Sequence, residues 1–287
     1  MKHKLAWALA AAAAFGATAC VRLNTPEKKA GYAVGESIGH SLERIKDKIA
    51  VEQVLKGLSD QKAGTSTMKD DELAQVLGQL QQGADKDKNG YAVGLSIGKN
   101  VKPILGYVDF EMIKRGIKDD LAGHAKLDEN EVSQTLQTLE QKRQEDESKK
   151  NKADGAAFLE QNKAKPGVKV TASGLQYEIL RPGHGRKATK ADAVKVDYVG
   201  TLTDGTKFDS SYDRHQPATF PVTGVIPGWT EGLQLMNVGS KFRFVIPSEI
   251  AYGARGAGGQ IGPDAVLVFE VELLGFEKAK PQAGPQR

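Results

Sequence analysis

Cysteine is almost missing from this 287-residue chain: Cys20 is the only one. No disulfide can form within it, so packing and hydrogen bonds must hold the fold. Aromatic residues are also scarce, at 6%, and unevenly placed, with the Phe-rich stretches and one of the two Trp residues lying after Gly167. That skew predicts two regions packed in different ways. An excess of one charge is missing too. The formal net charge is only +4, and no Lys/Arg cluster with interleaved aromatics occurs, so a nucleic-acid partner is not expected. After the first twenty residues no apolar run is long enough to cross a bilayer. The five histidines (His3, His40, His124, His184 and His215) fall in no metal-ligand spacing. Ser210-Ser211 lacks convincing His and acid partners for a hydrolase. The glycine-rich stretch Gly256–Gly262 lacks the Lys-Ser/Thr ending of a phosphate loop. No metal or cofactor is expected.

What is present begins with an export segment. Lys2 and Lys4 precede an Ala-rich apolar run from Leu5 to Ala19, which closes on Ala17-Thr18-Ala19-Cys20. This is a small-residue cleavage pattern, so residues 1–19 read as a signal peptide. Cys20, directly after it, resembles the lipid-modified cysteine of bacterial lipoproteins. That resemblance implies the periplasm or the outer membrane, with a lipid anchor as the membrane contact. Ala17 stands where that pattern usually has Leu, and Ala17-x-Ala19 also suits an ordinary signal peptidase.

The middle of the chain repeats itself. Gly31-Tyr-Ala-Val-Gly-Glu-Ser-Ile-Gly39 returns as Gly90-Tyr-Ala-Val-Gly-Leu-Ser-Ile-Gly98, differing only at Glu36/Leu95, at an offset of 59 residues. The offset holds further on: Val51, Val54 and Leu58 map onto Phe110, Ile113 and Ile117, and Leu73, Leu77 and Leu80 map onto Val132, Leu136 and Leu139. A fixed period of this kind signals a repeated supersecondary unit. Three- and four-residue apolar spacing in Phe110, Ile113, Ile117 and Leu121 predicts helices. Gly35-x-x-x-Gly39 and Gly94-x-x-x-Gly98 either admit another backbone closely or end their helices. Each copy carries a narrow apolar stripe and few aromatics, so it needs a partner. A homodimer is the expectation, with pairing of the two copies inside one chain as its rival. From Asp128 to Lys163 the chain is polar, of mixed charge and rich in helix formers. It predicts an exposed connecting helix with a break near Gly155, with a disordered charged linker as the alternative, ended by Pro166-Gly167. About 35 such residues would reach roughly 50 Å.

After Gly167 the apolar period becomes two. Leu175, Tyr177 and Ile179, then Val194, Val196 and Tyr198, then Phe242, Phe244 and Ile246, then Leu267, Phe269, Val271 and Leu273 read as strands with one buried face. Asp204-Gly205 is a turn signal, and one short helix is expected from Trp229 to about Met236.

Four ordered motifs make this region resemble the FKBP-type peptidyl-prolyl cis/trans isomerases: Val196–Tyr212, Val225-Ile-Pro-Gly-Trp-Thr-Glu-Gly-Leu233, Ile246-Pro-Ser-Glu-Ile-Ala-Tyr-Gly253 and Ala265-Val-Leu-Val-Phe-Glu-Val-Glu-Leu273. The helical repeats resemble the amino-terminal domain of the macrophage infectivity potentiator subfamily, from whose single copy the duplication departs. The fold implied is α+β: an all-helical, internally duplicated amino-terminal domain, a long linking helix, and an antiparallel sheet wrapped around one short helix. The domains expected are a signal peptide at 1–19, a duplicated helical dimerisation and chaperone domain at 20–127, the connecting helix at 128–166, the isomerase domain at 167–277 and a disordered tail at 278–287.

The resemblance implies an enzyme that turns X-Pro bonds in exported proteins, with chaperone activity; the alternative is a non-catalytic dimeric holdase that binds proline-containing segments. It gives Asp209, Tyr252 and Phe269 catalytic roles. Tyr198, Phe208, Val225, Ile226, Trp229 and Ile261 would bind substrate, with Trp229 as floor, Ile261 on a flap and Arg214 orienting Asp209. Substrates would be proline-containing unfolded or folding polypeptides, and macrolide inhibitors could share the pocket. Two positions depart from the family: Ala218 stands where relatives often have an aromatic, and Gly262 where proline is common.

Overall fold

Thr25 accepts a hydrogen bond from the Lys28 N–H at 3.2 Å, and Pro26 occupies the first helical position. Together they start helix α1 (Pro26–Leu42), because a Pro costs nothing where the N–H would be unpaired anyway. The computed structural model describes residues 22–83 and 85–278. The signal peptide, Cys20 and the tail beyond Lys278 lie outside them. The chain divides after Leu139 into two units.

The first unit contains α1, α2 (Val51–Ala63), α3 (Asp70–Gly78), α4 (Lys86–Val101), α5 (Phe110–Leu121) and the start of α6 (Glu129–Lys163). The second copy opens as the first does, with Asp85 accepting from Lys88 N–H at 2.9 Å. Asp128 and Glu131 close a reciprocal cap on α6, in which Glu131 N–H donates to Asp128 at 2.8 Å and Asp128 N–H donates to Glu131 at 3.3 Å.

The copies exchange helices. α1 of the first copy packs on α5 of the second, and α4 of the second packs on α2 of the first. Each contact has its counterpart 59 residues away. Asp109 N–H donates to Glu27 O at 2.9 Å, and Ala50 N–H donates to Lys86 O at 2.9 Å. Tyr32 donates to Asp119 at 3.0 Å, with Arg115 bridging Asp119 at 2.8 Å. Tyr91 donates to Asp60 at 2.9 Å, with Lys56 on Asp60 at 2.6 Å.

The glycines explain how close the helices come. A Cβ on Gly35 would sit 2.8 Å from the Gly116 Cα, and one on Gly94 would sit 2.8 Å from the Leu58 N. Neither Gly35 nor Gly39 ends α1, which continues to Leu42. Of the two readings the motif allowed, close approach is the one observed. The paired stripes bury Val54, Leu58, Ile113 and Ile117 completely in one core. The apolar faces that motivated a homodimer are thus covered within a single chain.

The second unit is a seven-stranded antiparallel sheet with one helix on its inner face. Its strands are β1 (Lys169–Val170), β2 (Gln176–Arg181), β3 (Asp192–Leu202), β4 (Lys207–Ser210), β5 (Ala218–Pro221), β6 (Lys241–Ile246) and β7 (Leu267–Lys278). They run in the order β1-β2-β6-β7-β3-β4, with β5 also paired to β3. Gly205, at φ +87°, makes the turn between β3 and β4. Helix α7 (Pro227–Leu235) lies against β6 because Gly228 and Gly232, one turn apart, face Ile246 and Phe244 without a Cβ; one on Gly232 would stand 2.8 Å from the Phe244 ring.

The long helix expected from composition is present, and its residues 140–163 belong to this second unit, with only Gly155 and Asn162 of the helix buried. The helix is unbroken at Gly155, which is buried where a Cβ would meet Val266 Cγ2 at 2.7 Å. Phe158 and Leu159 pack on Val245, Val266 and Val268, the outer face of the sheet. Asn162 is buried between Gln176, to which it donates at 2.8 Å, and Arg243, from which it accepts at 2.8 Å.

Candidate active site

Alternation along β3 turns Val194, Val196 and Tyr198 inward, and β7 does the same with Leu267, Phe269 and Val271. Tyr198 and Phe269 meet α7 at its first turn, where Trp229 follows Pro227-Gly228. A cavity of about 650 Å³ opens there. It is lined by all nine residues expected from the sequence: Tyr198, Phe208, Asp209, Val225, Ile226, Trp229, Tyr252, Ile261 and Phe269.

Trp229 is the centre of an edge-on aromatic cluster. Its ring lies 5.1 Å from Phe269, 5.3 Å from Tyr198 and 5.9 Å from Phe220, each at 85–88°. Phe208 stands edge-on to Phe269 at 5.5 Å. Gly200 makes that pair possible, since a Cβ there would be 2.7 Å from both rings. Such perpendicular pairs add to the burial of apolar area and hold the rings in fixed positions. The buried Trp229 indole N–H has no acceptor among the described residues.

Phe220 is a lining residue that the sequence motifs do not name. It lies on β5 two positions from Ala218, so the two share a face. Phe220 lines the cavity, and Ala218 does not. The period-two rule applied to Ala218-Thr-Phe220 was the available signal. Gln260 and Ala257 also line the cavity from the flap, a hairpin closed by Ala257 and Ile261 through bonds of 2.8 and 3.0 Å, with Gly258 and Gly259 at positive φ between them.

Polar groups enter this apolar bowl at one edge. Asp209 accepts hydrogen bonds from Tyr198 and Arg214, and Arg214 also donates to the Tyr198 hydroxyl at 2.9 Å. Burial pushes the Asp209 carboxyl up, but the bonds from Tyr198 and Arg214 and the Arg214 charge outweigh it, leaving Asp209 below the usual carboxylate range. Burial, and then the bond to Asp209, raise Tyr198, so its phenol stays protonated at neutral pH. Tyr252 is 40% exposed, and its hydroxyl has no partner among the described residues. The Ile226 N–H, at the start of α7, likewise donates to no described group. The cavity therefore offers one ionised carboxylate and the free Tyr252 hydroxyl and Ile226 N–H, with the unpaired Trp229 indole N–H buried in its floor, in a largely apolar space. Those groups can orient an amide and favour its twisted, less charge-separated form.

The Asp209 carboxylate fixes a pH expectation. A depressed carboxyl adds stability above its unfolded value of about 3.9 and loses it as pH falls through the lower folded value. Any activity of this site should stay level from pH 8 to about 5 and, with the stability that Asp209 adds, fall only below about 4. A rate that halves between pH 7 and 6 would show that another group controls the site.

Comparison with known proteins gives a consistent picture. A family model described as FKBP-type peptidyl-prolyl cis-trans isomerase matches residues 184–274. One described as the domain amino terminal to FKBP-type peptidyl-prolyl isomerase matches twice, at 27–89 and 86–179. The chain is 47% identical over 207 residues to the FKBP-type peptidyl-prolyl cis-trans isomerase FkpA of Aeromonas hydrophila, covering 67% of this chain and 77% of that protein. It is 44% identical over 203 residues to the outer membrane protein MIP of Legionella longbeachae, covering 68% and 87%. The crystal structure of FkpA from Escherichia coli is similar with a TM-score of 0.52 at 38% identity, covering 68% of this chain and 98% of that one.

Proposed function

This chain belongs to the FKBP-type peptidyl-prolyl cis-trans isomerases, and from that premise we propose that its 650 Å³ bowl turns X-Pro bonds in exported polypeptides. The observation that carries the reading is the union of an aromatic floor with one edge carboxylate and the free Tyr252 hydroxyl and Ile226 N–H. Uncatalysed rotation faces a barrier of about 20 kcal/mol and takes tens of seconds. No bond to the substrate need form. Trp229 supports the proline ring, while Tyr198, Phe208, Phe220, Val225 and Phe269 keep water out. The Tyr252 hydroxyl and Ile226 N–H hold substrate carbonyls, Asp209 faces the carbonyl that swings, and Ile261 covers the bowl from the flap. Arg214 keeps Asp209 ionised and in place. Macrolide inhibitors would compete for the same bowl. A protease-coupled proline-peptide assay on the full chain tests this. The expected result is turnover that survives chelation and dialysis; no turnover by a folded chain would leave the holdase reading in its place.

Export and chaperone action complete the proposal. The Lys-led apolar segment and the outer-membrane name of one relative support export to the periplasm or outer membrane, with lipid on Cys20. Mass spectrometry of native material tests it: an acyl mass on an amino-terminal Cys20 is expected, and Cys20 at the amino terminus without one would mean plain secretion.

The helical unit would grip unfolded chains. Its two copies satisfy each other through α1–α5 and α2–α4, so the proposed working form is one chain in which the second copy takes the place a second subunit would fill. Light scattering should return the mass of a single chain at micromolar concentration. Twice that mass would restore the homodimer and limit internal pairing to a part of the interface.

A further inference from the structure

Gly262 stands where the family often has proline, and the reason lies on α6. A Cβ at Gly262 would overlap the Glu147 carboxylate of that helix. Glu147 is itself fixed by Arg143 at 2.8 Å, which also grips Glu140 at 2.8 Å. The helix thus comes down directly on the end of the flap. Two further bonds tie it there: Ser148 donates to the Asp264 carboxylate at 2.6 Å, and Asn151 donates to the Pro263 carbonyl at 2.8 Å. Lys152 pairs with Asp264 at 3.3 Å.

Asp264 is an unusual residue to find held in this way. It is buried and sits at φ +57°, a region that costs most non-glycine residues free energy and persists only where the surroundings impose it. Its N–H donates to Gly253 O at 2.9 Å. The Ser148 bond therefore reaches the residue after Tyr252 by way of Asp264, and the Asn151 bond holds the residue two places beyond Ile261. The segment that carries Tyr252, Gln260 and Ile261 over the bowl is thus tied to α6 directly at its Pro263-Asp264 end and, through Asp264, at Gly253.

The geometry points to Ser148 and Asn151 as positioning residues of the isomerase: from outside the bowl they set where Tyr252 and Ile261 stand over the substrate. The catalytic unit accordingly begins near Glu140 rather than at Gly167. The flap is a short glycine turn, with Gly256, Gly258 and Gly259 at positive φ, whose Ala257 and Ile261 pack into the core on its inner side. The bonds from α6 add an anchor on the outer side, which narrows the positions open to the two contact residues toward the small tolerance that orientation effects require. This inference rests on the site assigned above.

The test uses the full chain carrying Ser148→Ala with Asn151→Ala, alongside Ser148→Thr and Tyr252→Ala. Rates are measured on a peptide series that varies the residue before proline. The double variant should lose about three- to tenfold in kcat/KM and show an altered ranking across the series. Ser148→Thr, which keeps the hydroxyl, should behave as wild type. Amide exchange should quicken in residues 256–262 and stay unchanged in β6 and β7, which separates flap release from general destabilisation. A double variant with wild-type ranking, kcat/KM and flap exchange overturns the positioning role. If Tyr252→Ala is slow while the double variant is not, only the positioning falls; if Tyr252→Ala is itself at the wild-type rate, the site assignment beneath it falls.

Discussion

Phe269→Ala lowers kcat/KM for a proline peptide by at least about tenfold, ~1.4 kcal/mol of transition-state stabilisation. The ring is almost wholly buried, stands edge-on to both Trp229 and Phe208, and forms the wall between floor and rim. Removing it opens the apolar bowl to water, and a hydrated amide regains the planar form that the site disfavours. Truncating a core Phe also costs about 3–5 kcal/mol of stability, so the rate must be read where circular dichroism shows the variant folded. Tyr252→Phe is the companion experiment. The exposed hydroxyl supports no internal contact, so its loss should leave the melting temperature alone and slow turnover several-fold. Wild-type rates in both folded variants would detach the chemistry from this cavity.

The site was legible in the sequence because its residues sit in contiguous motifs. Val225-Ile-Pro-Gly-Trp229 is at once a loop, a helix start and a pocket floor, so one string of letters fixes them together. The aromatic that escaped, Phe220, lies outside those motifs and shares only a strand face with Ala218. The repeat was legible as identity between residues 31–39 and 90–98. Which helix covers which was not, since an apolar stripe states that a face needs cover and not whose. The exchange of α1 for α4 is carried by backbone approach at glycines, which leave no hydrophobic signature.

The role of α6 was illegible for a related reason. Its contacts with the sheet are Gly155, Phe158 and Leu159 plus hydroxyl and amide groups, too few apolar residues to show a stripe among charges. The one difference within the repeated motif did carry information. Leu95 packs beside Leu73 of α3. Its counterpart Glu36 instead accepts from the Lys126 and Leu127 N–H groups at 2.6 and 3.3 Å, just before α6 begins. The pair differs because Leu95 of α4 faces the short α3 of the first copy, whereas Glu36 of α1 faces the turn that leads into the long α6 of the second.

Gly94→Leu should cost the helical unit at least about 3 kcal/mol and lower its melting transition by roughly 12 °C or more. Two effects oppose each other here. Leaving glycine in a helix interior gains about 1 kcal/mol in propensity. Against it, even the first added carbon would overlap the Val54 carbonyl and stand 2.8 Å from the Leu58 N. Backbone on both sides cannot move aside as a side-chain tip can, so overlap wins. Gly35→Leu should do the same at the symmetric crossing, where Ile113 O and Gly116 stand in the way. Because each copy contributes one helix to each pair, and both pairs share one core, a lesion in either copy should lower the same transition. Gly78→Ala is the control: its Cβ would meet nothing within 4 Å, and the propensity gain should appear alone, as up to about 1 kcal/mol of added stability. The isomerase transition and the rate at 25 °C should be unchanged in all three. If Gly94→Leu melts like Gly78→Ala, α4 does not cross α2 at this point, and the internal exchange of helices is wrong.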